Sequence, residues 1–242
     1  MKRYAWVFIL AFAVLIGFAL GFASTIGQGF LELTSQAQGS VNVGSQLYKN
    51  QSPQPVSGYT WDNQGSATAT NLGTTSITFN IPNDSNAHVL YQSVPGSTPY
   101  TAVTGMLIPP TFNSNYIGTG LFIGDSSGKY LAEVYSQSQA TIYLFSYPST
   151  TSGSSVVTNY GPSSDIDRPG YSMIYFKVLD DGTNLTWSFS TDENIWYQLY
   201  QASRTAFLSA PARMGFGGYN SSGVAASGFS LFTFGTNALT PN

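Results

Sequence analysis

Side chains able to do chemistry are few in this chain of 242 residues, and most stand where a turn would put them. The carboxylates beyond residue 59 are Asp62, Asp84, Asp125, Glu133, Asp165, Asp167, Asp180, Asp181, Asp192 and Glu193, nearly all beside Gly, Ser or Asn. Cleaving a glycosidic bond with retention takes two carboxyl groups about 5 to 5.5 Å apart, which residues i and i+2 or i+4 on one strand face can approach. No Glu-x-Asp-x-Glu string supplies that spacing here. Glu133 stands mid-strand alone, and Asp165 with Asp167 is the nearest approach to a pair. The chain is therefore expected not to be an enzyme. His88, the single histidine, lies beside Val89 and Leu90 and is read as a surface or satisfied strand residue rather than the base of a Ser-His-Asp triad. No cofactor is expected. Calcium is the one ion for which oxygen ligands stand ready, from Asp125, Asp165 and Asp167, yet no loop repeats a D-x-D-x-D pattern and turn capping accounts for all three.

What remains is aromatic, at 15% of the chain. Sugar rings present apolar C–H faces that stack on aromatic planes, while Asn and Asp side chains bond their hydroxyls. Trp61 and Trp196 stand near strand starts, and Tyr147 and Tyr219 neighbour Pro148 and Asn220 to Ser222 in expected loops. With Asn220 they form the candidate ligand-binding set. Trp187 falls in the inward register of its strand and is assigned to the core.

Strands must position these residues. From Tyr59 onward, short runs of β-branched and aromatic residues are punctuated by Gly, Pro, Asn and Asp about every ten residues, the pattern of a sandwich or barrel. About twelve strands are expected, the clearest running 76–81, 88–94, 100–108, 118–124, 130–135, 141–147, 173–179, 185–190, 196–201, 213–217 and 228–234. Leu185, Trp187 and Phe189 alternate with Thr186 and Ser188, so one face is core and the other wet. Asp180-Asp181-Gly182-Thr183 reads as the turn of a hairpin. Phe229 and Leu231 alternate with Phe232 and Phe234, which predicts a central strand with apolar side chains on both faces, doubly covered or buried at a subunit contact.

The N-terminus differs in kind. Lys2 and Arg3 precede an uncharged stretch, residues 4–23, of about the length that spans a bilayer as a helix, so 1–23 is expected to be a hydrophobic anchor or a signal segment. Residues 24–58, with Gly27, Gly29, Gly39, Gly44, Pro53 and Pro55, have linker or stalk chemistry, and 59–242 is the sandwich.

Four motifs, in order, resemble a family. They are Tyr59-Thr60-Trp61-Asp62-Asn63-Gln64-Gly65-Ser66-Ala67, then Asp180-Asp181-Gly182-Thr183, then Ser190-Thr191-Asp192 before Trp196, then Arg213-Met214-Gly215-Phe216-Gly217. Together they are similar to the lectin-like modules of tailed-phage virion proteins, within the concanavalin-A-like lectin/glucanase superfamily. Glu193 and Asn194 stand where the third motif of that family has Gly and Asn. The resemblance implies an all-β, concanavalin-A-like jelly-roll sandwich; the one N-terminal hydrophobic helix expected before it is read from the apolar run and departs from that family's pattern. It also implies a recognition domain on a virion surface or in an extracellular setting, binding glycans or a host surface. Glycosidases of that superfamily place two or three carboxylates along one strand of the concave sheet, which this chain does not match.

Composition agrees with exposure and narrows the partners. Charged residues make up only 8% of the chain, against roughly 25% in ordinary soluble domains, so Ser, Thr, Gly, Asn, Gln and Tyr must cover the surface. A net charge of -3 with eight scattered Lys and Arg gives no basic stripe, so nucleic acid is not an expected partner. With no cysteine, packing alone must hold the fold. The expected partners are a glycan or host-surface ligand, a membrane or neighbouring subunits through residues 4–23, and further copies in a homo-oligomer. Two other roles fit the same features. One is a structural spike, decoration or filament subunit assembled through the apolar N-terminus, and the other a secreted or membrane-tethered cellular lectin.

Overall fold

Fourteen strands form among the residues that a computed structural model describes, namely 52–108, 117–136, 141–161, 172–221 and 226–238. The apolar segment 4–23, Asp165 and Asp167 lie outside these residues, and the chain divides into compact units at 1–45 and 46–242. No helix among the described residues is long and apolar enough to cross a membrane.

The strands are β1 (Thr60–Asp62), β2 (Thr68–Leu72), β3 (Ser76–Pro82), β4 (Ala87–Ser93), β5 (Tyr100–Ile108), β6 (Ile117–Gly124) and β7 (Tyr130–Ser136), followed by β8 (Thr141–Tyr147), β9 (Ser155–Tyr160), β10 (Ser172–Asp180), β11 (Asn184–Ser190), β12 (Tyr197–Ser203), β13 (Arg213–Asn220) and β14 (Ala226–Ala238). They build two antiparallel seven-stranded sheets. The front sheet has the order β1-β4-β13-β6-β7-β8-β9 and the back sheet β12-β11-β10-β5-β14-β3-β2. The fold is thus the expected all-β, lectin-like sandwich.

The side chains between the sheets follow the period of two. From the back sheet come Ile77, Phe79 and Ile81 of β3, Ile174, Phe176 and Val178 of β10, and Leu185, Trp187 and Phe189 of β11. The front sheet answers with Leu121, Ile123, Leu131, Leu144, Met214 and Phe216. The β10–β11 turn closes as its residues dictate. Gly182 takes φ 93°, the Asp180 carboxylate accepts from its amide, and the Asp181 carboxylate accepts from the amides of Thr183 and Asn184.

Strand β14 corrects one expectation. It is central in the back sheet, between β5 and β3, but the register with β5 shifts between Leu231 and Thr233. This irregularity takes up one residue, so Phe229, Leu231 and Phe234 all enter the same core cluster. Phe234, expected on the face opposite Phe229 and Leu231, therefore shares theirs, and the side chain of Phe232 lies outside what the structure describes.

Residues 53–58 are tied to the sandwich. Val56 and Gly58 bound a short 3-10 turn, Val56 packs on the core, its amide donates to the Asn71 side chain, and the Gln54 amide donates to the Tyr59 hydroxyl.

Candidate functional site

The outer face of the front sheet, turned away from the core, is also buried over much of its area. Because Met214 and Phe216 of β13 point inward, Arg213, Gly215, Gly217 and Tyr219 point outward. The same alternation sends Phe122 of β6, Tyr130, Ala132 and Val134 of β7, and Tyr143, Phe145 and Tyr147 of β8 to that face, where they form a second apolar cluster with Ala87 and Val89 of β4. Two glycines make the rings fit. Tyr219 pairs with Gly118 and Tyr130 with Gly124 across neighbouring strands, and a Cβ on either glycine would overlap the partner's ring. Each ring therefore lies across its glycine.

The loop after β8, residues 148–154, folds back over this face. Its Thr150 carbonyl accepts from the Ala87 amide at 2.8 Å, and the Thr150 hydroxyl donates to the Asp62 carboxylate at 3.4 Å. Since β4 and β1 lie at the opposite end of the front sheet from β8, the loop acts as a strap. Under it Phe122 and Tyr130 are fully buried although they face away from the core between the sheets.

Between the strap and the sheet an open cavity of about 320 Å³ remains, lined by Ser85, Ser136, Tyr143, Phe145, Tyr147, Gly153, Ser154, Val156, Tyr219 and Ser221. Its aromatic walls brace one another. The Tyr143 and Phe145 rings stack at 5.1 Å, and Phe145 meets Tyr219 edge to face at 5.8 Å and Tyr147 at 6.1 Å. Burial pushes the Tyr147 hydroxyl well above the usual phenol range, and the nearby Tyr219 adds to this. Such a site offers flat apolar planes and neutral hydroxyls. None of the described lining residues carries a formal charge at neutral pH.

The charged groups near this face are spent on one another. The Arg213 guanidinium donates to the Asp62 carboxylate at 2.8 Å and to the Tyr130 hydroxyl at 3.4 Å, and it lies 4.9 Å from the centre of the Tyr91 ring. Tyr130 in turn donates to Asp62 at 2.8 Å. The hydrogen bond with Tyr130 is the main influence raising Arg213 above its ordinary value. Asp84, next to Ser85 at the cavity, lies 2.9 Å from His88 Nε2, while His88 Nδ1 lies 2.7 Å from the Asn63 carbonyl. Fully buried and bonded at both ring nitrogens, His88 is a satisfied strand histidine.

Of the candidate ligand residues, Tyr147 and Tyr219 meet in the cavity, although they belong to β8 and β13 rather than to loops. Asn220 is adjacent in the chain but fully buried, with its amide donating to the Ile81 carbonyl at 3.3 Å. Trp61 points inward and packs on Phe79 at 5.1 Å. Trp196 lies beside the back sheet, donating to the Glu193 carbonyl with the Lys177 ammonium 4.1 Å from its ring centre. Asp125 is a turn hub. Burial works to raise its pKa, but donors from Ser127, Lys129 and Ser209 outweigh it and hold the carboxylate at about 2. No cluster of three potential metal ligands forms among the described residues. Glu133 points to the inner face of the same sheet, fully buried, between Leu121 and Leu144 on the neighbouring strands. Tyr143 and Phe145 were not among the candidates. The signal was the spacing Tyr143, Phe145, Tyr147, three rings on one face of one strand.

No family model matches the chain, and no curated protein matches it in sequence. Solved structures do match in fold. A functionally unknown protein from Saccharomyces cerevisiae is similar with a TM-score of 0.55 at 14% identity, over 77% of this chain and 100% of that one. The exoplasmic/lumenal domain of VIP36, in its Ca2+/Man3GlcNAc-bound form, is similar with a TM-score of 0.51 at 10% identity, over 79% of this chain and 88% of that one. A GH43 protein of Bacillus licheniformis, BlXynB, is similar with a TM-score of 0.51 at 12% identity, over 74% of this chain but only 37% of that one. At these identities the likeness is one of fold.

Proposed function

We propose that this protein is a non-catalytic recognition module that binds carbohydrate in the aromatic cavity of its front sheet. The observation that carries this is the cavity itself, where the rings of Tyr143, Phe145, Tyr147 and Tyr219 are braced and serine hydroxyls stand around them. Such planes take the C–H face of a sugar, and hydroxyls serve as both donors and acceptors for its own. The VIP36 domain of similar fold is described with a bound oligosaccharide, which supports the reading. Among the described residues, no pair of carboxylates lines this cavity. Asp62 is held by Arg213 and Tyr130, Glu133 points to the opposite side of the sheet, and neither lines the cavity. Displayed on a virion or cell exterior behind residues 4–23, as the resemblance of its motifs implies, the module serves attachment to a glycan-bearing surface.

A glycan array probed with the full chain, followed by calorimetry on the best ligand, tests this. Tyr219→Ala, which removes one wall, is expected to weaken binding at least tenfold, a loss of about 1.4 kcal/mol. A variant that keeps full affinity would place the site elsewhere. A structural role is favoured by a different observation. Tyr160 of edge strand β9, Phe189 of β11 and Tyr197 of edge strand β12 form a ring ladder at 5.1 and 5.6 Å, and Tyr160, Ile195 and Tyr197 are each more than half exposed there. Light scattering on Tyr160→Ser beside the parent chain decides whether this edge joins subunits.

A further inference from the structure

We infer that the ligand is an uncharged sugar and that it is held without a metal ion, an inference that rests on the carbohydrate reading above. No described lining residue is a carboxylate, amine, guanidinium or imidazole. Under a strap that already buries Phe122 and Tyr130, a charged ligand would shed water and meet no countercharge among the described lining residues.

The ions nearest the cavity already have partners within the fold. Arg213 uses one amino group on Asp62 and Tyr130, the other on the Ser126 carbonyl at 3.3 Å, and its plane on the Tyr91 ring. Both oxygens of Asp62 accept, one from Thr150 and the other from Tyr130 and Arg213. Asp84 faces His88.

Calcium fares no better. It takes six to eight oxygen ligands, usually with carboxylates among them. Asp125, the only described member of the three sequence candidates, has one oxygen accepting from the Ser127 amide, the Ser127 hydroxyl and the Lys129 amide, and the other from the Ser209 amide and hydroxyl. Those five donors occupy the lone pairs an ion would need. Recognition then falls to ring faces and neutral hydroxyls, whose interactions respond little to salt and not at all to a chelator.

The test titrates the full chain with glucose-, mannose-, galactose- and xylose-based oligosaccharides and with sialylated and uronic-acid oligosaccharides, in calcium and in EDTA. At least one neutral oligosaccharide is expected to bind, with an affinity that changes less than about twofold between calcium and EDTA and between about pH 5 and pH 8. Its acidic counterparts are expected to bind at least about tenfold more weakly. Affinity that disappears in EDTA, or that prefers the acidic sugars, overturns the inference and leaves the carbohydrate reading standing. If no sugar of either panel binds, the carbohydrate reading fails and takes the inference with it. Val156 lines the cavity and is 56% exposed, so Val156→Asp brings a charge to the site without disturbing the core. It is expected to keep the parent's melting temperature and to lose at least about tenfold in neutral-sugar affinity. Unchanged affinity in that variant also overturns the inference.

Discussion

The two faces of the front sheet both bury aromatic and aliphatic side chains, but by different means. The inner face packs Leu121, Ile123, Leu144, Met214 and Phe216 against a whole second sheet. The outer face packs Phe122, Tyr130 and Tyr147 under a strap of seven residues, 148–154, and keeps an open cavity beside them. Each face also carries a carboxylate. Asp62 on the outer side is held by a guanidinium and a phenol, whereas Glu133 on the inner side has no hydrogen-bond partner among the described residues. A face closed by a second sheet gains stability from close packing, and a face closed by a strap gives up some of it to keep a site open.

Removing a large ring from each buried layer, the core between the sheets and the layer under the strap, tests that contrast most strongly. Trp187 contributes to the core between the sheets and is fully buried, so Trp187→Ala is expected to cost about 3 to 5 kcal/mol, with a void that the surrounding strands cannot fill. Phe122→Ala on the outer floor is expected to cost about 2 kcal/mol, close to the transfer term alone, because the space it leaves adjoins a cavity open to water. Urea denaturation midpoints at constant m-value measure both. Equal losses would mean that the strap closes its face as tightly as the second sheet closes the other.

The inner carboxylate has the next largest effect. Burial drives the Glu133 pKa well above its ordinary 4.5, with Lys177 opposing only in part, so folding favours the protonated form of this acid. A folded pKa raised above the unfolded one contributes stability that is fully present below about 4.5 and is lost as pH rises through the folded value. The slope from one group reaches at most about 1.4 kcal/mol per pH unit. Thermal melts of the parent are expected to fall as pH rises above 5, and those of Glu133→Gln to stay flatter. Parallel profiles for the two proteins would show that the inner face tolerates an ionised carboxylate as well as the outer one does.

Legibility in the sequence followed the same division. The back-sheet hairpin, with Leu185, Trp187 and Phe189 inward and Thr186 and Ser188 outward, could be read from alternation because one side of that sheet is wetter than the other. All eleven clearest expected strands form. Strands β1, β2 and β9 were missed because they are short or exposed, and an exposed strand writes no hydrophobic period. On β6 every residue is buried, so alternation could not separate its two faces, and nothing in the sequence marked Gly118 and Gly124 of the expected strand as the seats of Tyr219 and Tyr130. The strap left no trace, since its anchors to β4 and β1 join residues about 60 to 90 positions apart. Trp61 looked exposed near a strand start, yet the three residues of β1 are enough to turn it onto Phe79. The third motif is visible in its backbone. Glu193, where the resembling family has Gly, takes φ 62°, the left-handed conformation that glycine adopts freely.

The smallest expected effect concerns the outer carboxylate and its partner. Arg213 and Asp62 are each 23% exposed, so their ion pair is partly screened, and truncating Arg213 to alanine is expected to cost about 1 kcal/mol or less of global stability. Its local effect should be larger. Asp62 accepts from Thr150, and losing Arg213 removes the charge-assisted contact that orients the carboxylate at the strap's anchor. Hydrogen exchange at the Ala87 amide, which donates to the Thr150 carbonyl, reads that anchor directly. Exchange there is expected to speed up in Arg213→Ala while amides of β10 and β11 keep the parent rates. Uniform acceleration across both sheets would mean that the outer face is not an independently loosening layer, and the contrast between a sheet-closed and a strap-closed face would fail at the level of dynamics.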